Sequence, residues 1–336
     1  MTSNNVVEDI LEVDPALLLP EDDDDYHSIG YATTTESLTE SIFEYIFENG
    51  RRYHSYFGVD KNLMPTDEKE QDRLDLHHEI MIQLLNGKYH LAPVGDNPQR
   101  ILDIGTGTGI WAIDIAYQYP SAEVTGTDLS PIQPKWVPPN CKFEVDDAEQ
   151  PWTFRPDTFD LIHSRNLNQA IASWPSVMSS MYTCCKPGGY VELAELECRA
   201  YSDDNTLAPD DKFGHFMNLL CEAMTKLGRP HASAEALVQR LEEAGFVDVQ
   251  AISVKQPFGP WPKDAHRKRI GALTMMMCES GCEAYGMAPF TRVLGMEKEE
   301  AAKVCKEAAE AVRNRGTHVY SYYHVAYGRK PEDSEA

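Results

Sequence analysis

The sequence predicts an α/β fold in which a mostly parallel sheet is covered by helices on both faces. Three observations point to it. From Arg100 onward, short apolar runs of strand length alternate with segments of helical periodicity, as linked βαβ units require. One run ends in a glycine-rich turn, Gly105-Thr106-Gly107-Thr108-Gly109, that leads straight into a helix. Two further runs end in acids, Asp128 and Asp146-Asp147, at the strand ends where such sheets hold ligands.

Residues 1–35 read as an acidic, disordered tail, with Glu21-Asp22-Asp23-Asp24-Asp25 at its centre. Leu38, Ile42, Tyr45 and Ile46 then follow helical spacing, which predicts a helix over 36–48 with Gly50 just past its end. Thr66 reads as the N-cap of a second helix that has Asp67 and Glu68 in its first turn and runs to Gly87. Together these make 36–90 an N-terminal helical lid. Strands are expected at 100–104, 122–127, 141–145, 159–163 and 188–195, with helices at 109–118 and 174–184. Ser233 caps a helix closed by Gly245, a strand follows at 246–254, and a β-rich run places the last strand at 317–328. Within this main domain, 91–336, the long helical stretches 205–230 and 262–315 are candidate caps over a site.

The formal charge is −24, and residues 1–50 hold thirteen acids and no Lys or Arg, leaving 41 acids against 30 bases in the remainder. Such a surface repels phosphate backbones and anionic lipid, so neither direct nucleic-acid binding nor a membrane partner is expected. With no apolar stretch of spanning length and no basic, apolar leader, the chain is expected to be soluble and intracellular. Its eight cysteines contain no C-x-x-C pair, which speaks against a disulfide framework or a zinc ribbon, and no metal is implied.

Glycines at 105, 107 and 109 permit a tight turn and let a ligand lie against bare backbone at a helix N-terminus. A dinucleotide loop reads G-x-G-x-x-G, whereas here the third glycine comes one place early. Asp103, two residues before the loop, suits a ligand ammonium better than a pyrophosphate. Asp128 ends the next strand, where a carboxylate can accept from both hydroxyls of a ribose. Asp146 and Asp147 end the third, where an adenine amino group could be read, and Asp147 is favoured because it precedes Ala148.

At these residues the sequence resembles the class I S-adenosylmethionine-dependent methyltransferases, through Asp103 to Gly109, Asp128 and Asp147-Ala148. More narrowly, it is similar to the LaeA-like methyltransferases of filamentous fungi. That likeness rests on Tyr53-His54, Asp72-Arg73-Leu74-Asp75, Gly109 to Asp114, Asp128 to Pro134, Trp136 to Asn140 and Lys186 to Tyr190. The resemblance implies a Rossmann-like, seven-stranded sheet with an antiparallel last strand. It also implies S-adenosyl-L-methionine as cofactor, with Tyr53, Thr106, Leu129 and Ser164 joining Asp103, Gly105, Gly107, Asp128, Asp146, Asp147 and Ala148 around it. Two functions are compatible with it. One is methyl transfer to an oxygen or nitrogen of a small-molecule acceptor in fungal secondary metabolism, by a cytoplasmic enzyme. The other is a LaeA-like regulatory subunit of a nuclear complex, which would have a protein partner.

Methyl transfer is an in-line displacement, so alignment supplies much of the acceleration and a base is needed only for some acceptors. His163, at the end of the fourth strand, is the first candidate base, with a structural role as the alternative. His54 is the second, because it sits beside Tyr53 in the segment expected to fold over the cofactor. Met275-Met276-Met277, with Phe258, Trp261, Met287 and Phe290, lines an acceptor pocket or forms a core stripe.

Overall fold

The computed structural model describes residues 40–58, 61–229 and 232–332, so the acidic tail expected at 1–35 lies outside the described residues. A turn of 3-10 helix at Glu40–Phe43 leads into a hairpin of β1 (Tyr45–Glu48) and β2 (Arg51–His54). Helix α1 (Glu68–Leu84) follows, and the main sheet begins at β3 (Arg100–Ile104). Next come α2 (Ile110–Gln118), β4 (Glu123–Asp128), β5 (Cys141–Val145), β6 (Phe159–Arg165), α3 (Trp174–Cys184) and β7 (Cys185–Leu196). The chain continues through α4 (Lys212–Lys226), α5 (Ala234–Glu243), β8 (Val247–Phe258), α6 (Ala265–Ala288), a π turn at Pro289–Val293, α7 (Lys298–Ala311) and β9 (Val319–Arg329).

The seven-stranded sheet has the order β5-β4-β3-β6-β7-β9-β8. Pairings from β5 to β7 are parallel, and β9 is inserted antiparallel between β7 and β8. The register Ile101↔Leu161 and Leu102↔Ile162 sends alternate residues to opposite faces. Ile101 and Leu161 therefore join Trp111 and Ile115 of α2, while Leu102 and Ile162 join Val177 and Met181 of α3 and Leu237 and Leu241 of α5. Both faces are covered, which is why the central strands carry apolar residues at consecutive positions, Ile101-Leu102 and Leu161-Ile162, rather than alternating ones. A separate apolar cluster lies over the C-terminal edge, built by Ile80 and Met81 of α1, Phe216 and Leu220 of α4, and Met277 and Cys278 of α6.

Over its described residues, 40–48, the helix expected at 36–48 is not formed. Its described part is the 3-10 turn and β1, which pairs with β2 from Tyr45↔His54 to Glu48↔Arg51. Asn49 and Gly50 take φ of 54° and 81°, and an Asn-Gly turn closes a hairpin just as readily as glycine ends a helix. The aromatic and β-branched residues beside it then settle into strands. At α1 the N-cap is Asp67, whose carboxylate accepts from the Glu70 amide at 3.1 Å, one residue after the expected Thr66. The expected strands and helices of the main sheet form, with β7 and β8 longer than the sequence suggests.

Candidate functional site

The glycine loop joins β3 to α2, and Gly105, Gly107 and Gly109 all hold positive φ, 64°, 59° and 80°. Their surroundings differ. A Cβ on Gly105 would lie 2.3 Å from Leu167, and one on Gly109 would lie 2.3 Å from Phe143, so these two are glycines because protein packs on them. At Gly107 the nearest atom would be Leu74 Cδ1 at 3.6 Å, and its backbone faces a deep cavity. Asp103, just below the loop, accepts from Thr106 Oγ1 at 2.6 Å and from His163 Nδ1 at 2.7 Å. Both oxygens are thereby oriented, and the carboxylate is an acceptor at the cavity wall.

At the end of β4, Asp128 accepts from the amides of Gly107 and Ser130, at 2.8 and 2.9 Å. Burial pushes its carboxyl up to about 6, and the nearby Asp103 charge adds to the rise while the backbone donors oppose it. Gln133 clasps the same corner, donating to Gly107 O at 2.6 Å and Ser130 O at 3.0 Å. At the end of β5, Asp147 is paired with Lys61 Nζ at 2.8 Å, and Lys61 also reaches Glu149 at 3.1 Å. Asp146 accepts from the Asp147 amide at 2.8 Å. Asp103, Gly105, Thr106, Gly107, Asp128, Leu129, Asp146, Asp147 and Ala148 all line this one cavity.

Helix α1 closes the near side. Thr108 Oγ1 donates to Asp75 at 2.7 Å, which docks the helix on the glycine loop. Arg165 Nη2 donates to His78 Nδ1 at 3.1 Å, so Nε2 carries the proton that Asp114 accepts at 3.0 Å. Farther in, the cavity continues into an apolar chamber walled by Phe213, Phe216, Met217, Leu220, Phe258 and Met277. All four of Phe258, Met277, Met287 and Phe290 belong to the core cluster, and of these Met277 and Phe258 also line the pocket. Polar groups set into the chamber wall are Glu70, Arg73, His77 and, at the end of β7, Glu195. Glu195 Oε1 accepts from the Leu167 and Asn168 amides at 2.9 and 3.1 Å, and burial pushes its carboxyl up to about 7.

Four of the expected site residues do not line the cavity. His163 is buried in β6 against Trp111, with ring centroids 3.7 Å apart, and contacts Asp103 from the neighbouring strand. Ser164 is fully buried in the same strand; the residues that turn into the cavity there are Arg165, Asn166 and Leu167. His54 Nε2 is bonded to Ile42 O at 2.8 Å within the hairpin region. Tyr53 is buried under Arg292, whose guanidinium carbon stands 4.9 Å from the ring centre. His163 shares its face with Asp103, its register partner, and with Arg165, but it sits two residues below Arg165 and is covered by Trp111, so its level along β6, not its face, keeps it out of the ligand space. Conversely, Lys61, Arg73, His77 and Glu195 were not singled out as site residues. Arg73 alone had a signal, as part of the Asp72-Arg73-Leu74-Asp75 motif.

A family model described as a methyltransferase domain matches residues 76–251. The methyltransferase pytC of Aspergillus terreus is 38% identical over 310 residues, covering 92% of this chain and 95% of that protein. The secondary metabolism regulator LAE1 of Cochliobolus heterostrophus is 39% identical over 291 residues, covering 85% of this chain and 94% of its own. The secondary metabolism regulator laeA of Aspergillus fumigatus is 36% identical over 303 residues, covering 89% and 80%. Among solved structures, phosphoethanolamine N-methyltransferase 2 of Haemonchus contortus, in complex with S-adenosyl-L-methionine, matches with a TM-score of 0.45 and 18% identity, covering 82% of this chain and 55% of that one.

Proposed function

The chain belongs to the methyltransferase domain family, and from that premise we propose that it transfers the methyl group of S-adenosylmethionine to an oxygen or nitrogen of a small, largely apolar molecule of secondary metabolism. One observation carries the reading. The strand-end crescent of Asp103, Gly107, Asp128 and Asp147 and the Phe/Met chamber are walls of a single continuous cavity.

The residues present fit the cofactor. Gly107 presents bare backbone where a side chain would intrude on the open space. Asp128 and Asp103 are held carboxylates suited to a ribose diol and an ammonium, and Asp147 and Asp146 lie where an adenine amino group would be read. When bound, the cofactor supplies an electrophilic methyl group on a sulfonium. The chain's part is to bind, to orient and to exclude water, which burial of the chamber behind α1, α4 and α6 achieves. Glu195, poised near neutrality at the chamber wall, would accept the proton of a hydroxyl or ammonium acceptor.

Calorimetry with the demethylated cofactor, S-adenosylhomocysteine, tests the first half: saturable binding uncompeted by NAD or ATP is expected, and a folded sample that does not bind it overturns the reading. Labelled S-adenosylmethionine incubated with fractionated extract tests the second half, through label on a metabolite. A regulatory role within a nuclear complex is the second reading. It has support from the relatives named as regulators and from Trp136, a large side chain left 94% exposed in a proline-rich loop. Co-purification of protein partners without metabolite labelling would favour it.

A further inference from the structure

We propose that Arg73 and His77 of α1 anchor the acceptor through an acidic oxygen other than the atom that is methylated, a carboxylate or an enol or phenol bound as its anion, on an otherwise apolar molecule. The inference rests on the methyltransferase reading for the neighbouring cofactor, but concerns the inner chamber alone. Residues 70, 73 and 77 share one face of α1, and all three are buried at the chamber wall. Glu70 grips the Arg73 guanidinium in a fork, with Nε and Nη2 donating to its two oxygens at 2.9 and 2.7 Å. The third nitrogen, Nη1, is buried without a hydrogen bond of good geometry, and the Tyr285 side chain stands against the guanidinium. The Tyr285 ring lies under the guanidinium, its centre 4.8 Å from the central carbon, and offers an aromatic face there.

One turn on, His77 Nε2 is also buried without a hydrogen-bond partner. Burial, with the charges of Arg73 and Arg165, holds this imidazole well below its usual pKa, so the ring is neutral and can donate from Nε2. Arg73 Nη1 is always a donor and His77 Nε2 is one in the tautomer that protonates it; buried donors left unpaired are costly, and these two, one helical turn apart on a cavity wall, are the complement of a ligand acceptor. The acids nearby do not invert that sign. Glu70 is cancelled by the fork, Glu197 is engaged by Tyr201 Oη at 2.7 Å and His324 Nε2 at 3.3 Å, and Glu195 has Oε1 held by the Leu167 and Asn168 amides while burial pushes its carboxyl up to about 7. An anionic oxygen gains a charge-assisted bond here, whereas an ammonium would face donors. The remaining wall, Phe213, Phe216, Met217 and Leu220, asks for an apolar body.

Binding of matched naphthalenes to the full chain, followed by calorimetry with and without S-adenosylhomocysteine, tests this. The probes are 2-naphthoate and 2-naphthol, with 2-naphthamide as uncharged control and 2-naphthylmethylamine as cation. Naphthoate, or naphthol at a pH where it ionises, should bind about tenfold more tightly than the amide or the amine, the scale of one charge-assisted bond. Which of the two wins identifies the source of the oxyanion. The double variant Glu70→Gln/Arg73→Gln replaces the buried pair by neutral amides, and His77→Asn leaves the pair intact. Each should lose part or all of the preference while circular dichroism and S-adenosylhomocysteine affinity stay unchanged. Equal binding of anion, amide and amine, or a preference that survives in both variants, overturns the assignment. Failure to bind S-adenosylhomocysteine would sink the cofactor reading instead, since the naphthoate preference is read separately in its absence.

Discussion

The imidazole of His163 lies flat on the indole of Trp111, with centroids 3.7 Å apart and planes within 6°, while its Nδ1 donates to Asp103. Trp111 is in turn pinned by its own Nε1, which donates to Tyr89 O at 2.8 Å. The stack therefore sets the rotamer of Asp103 from the neighbouring strand, and Thr106 sets it from the loop side. His163 acts on the cavity only through that carboxylate. Burial lowers its pKa, which keeps the ring a neutral donor.

His163→Phe keeps the stack and removes the donor. Cofactor affinity should fall by about 0.5–1.5 kcal/mol, the net worth of one hydrogen bond. The turnover number at saturating cofactor should stay near that of the unmodified chain. Steady-state kinetics with calorimetric affinities separate the two, and a fall in turnover at unchanged affinity would put His163 in the chemistry.

Asp128 supplies a pH dependence. With its carboxyl at about 6 in the free protein, a diol donating to the ionised form drives that value down on binding. Affinity for S-adenosylhomocysteine should be flat above pH 7 and fall toward tenfold per unit as pH drops below about 6. The stability term has the opposite sense. A folded value above the ordinary aspartate value means that the ionised group costs stability above about 6, a cost relieved as pH falls toward 4. Asp128→Ala should weaken binding by about 1.5–3 kcal/mol at pH 8 and abolish the pH dependence. Binding like that of the unmodified chain would mean that the ribose lies elsewhere.

Glu195 predicts a rate profile. As the proton acceptor it must be ionised, so kcat/KM should rise with pH through about 7 and level off. Glu195→Gln keeps the acceptor for the Leu167 and Asn168 amides, and should flatten that limb and cost about 10²-fold in rate. An unchanged limb would assign the proton to another group.

The main sheet was legible because its signals are local. Gly105 to Gly109 and the acids after β4 and β5 need only strand-end level, and that is what an apolar run fixes. The hairpin at Asn49-Gly50 was not, since Tyr45 and Ile46 fit both a helical and a β period over so short a window. Arg73 and His77 escaped for a different reason: α1 buries a face carrying Glu70, Arg73, His77 and His78, and a pattern reading assigns such residues to solvent. Pairing inside the fold is what makes those positions tolerable, and pairing is not written in sequence order. Lys61 likewise reveals itself only once the chain has brought it to Asp147.

Gly107→Ala separates ligand space from loop packing. The new methyl would meet only Leu74 at 3.6 Å, so the fold should survive with a loss of about 1–2 kcal/mol for the left-handed φ of 59°. Cofactor binding should be lost far beyond that strain. Gly109→Ala should instead unfold the loop, because its Cβ would strike Phe143 at 2.3 Å. Thermal melts and calorimetry on both variants check the contrast.

Lys61 stands at one end of a short strap that lines the cavity from Lys61 to Thr66. Its ammonium holds Asp147 and Glu149, and Glu149 accepts from the Ala172 and Ser173 amides at the start of α3, at 2.9 and 2.7 Å. The other end is tied by Arg51, which forks onto the N-cap Asp67 at 2.7 and 2.9 Å. The part of the N-terminal segment over the ligand space is thus this strap, with Tyr53 and His54 beyond its Arg51 anchor. If the strap retains the cofactor, Lys61→Met should weaken binding about threefold to tenfold, a modest effect for a pair whose lysine is 30% exposed. Arg51→Met, loosening the strap from the end away from Asp147, should act in the same direction. The alternative gives opposite signs: were Lys61 competing with the adenine for Asp147, Lys61→Met would tighten binding while Arg51→Met still weakened it. Stopped-flow dissociation rates for the two variants decide, because a retaining strap must show its loss as faster release.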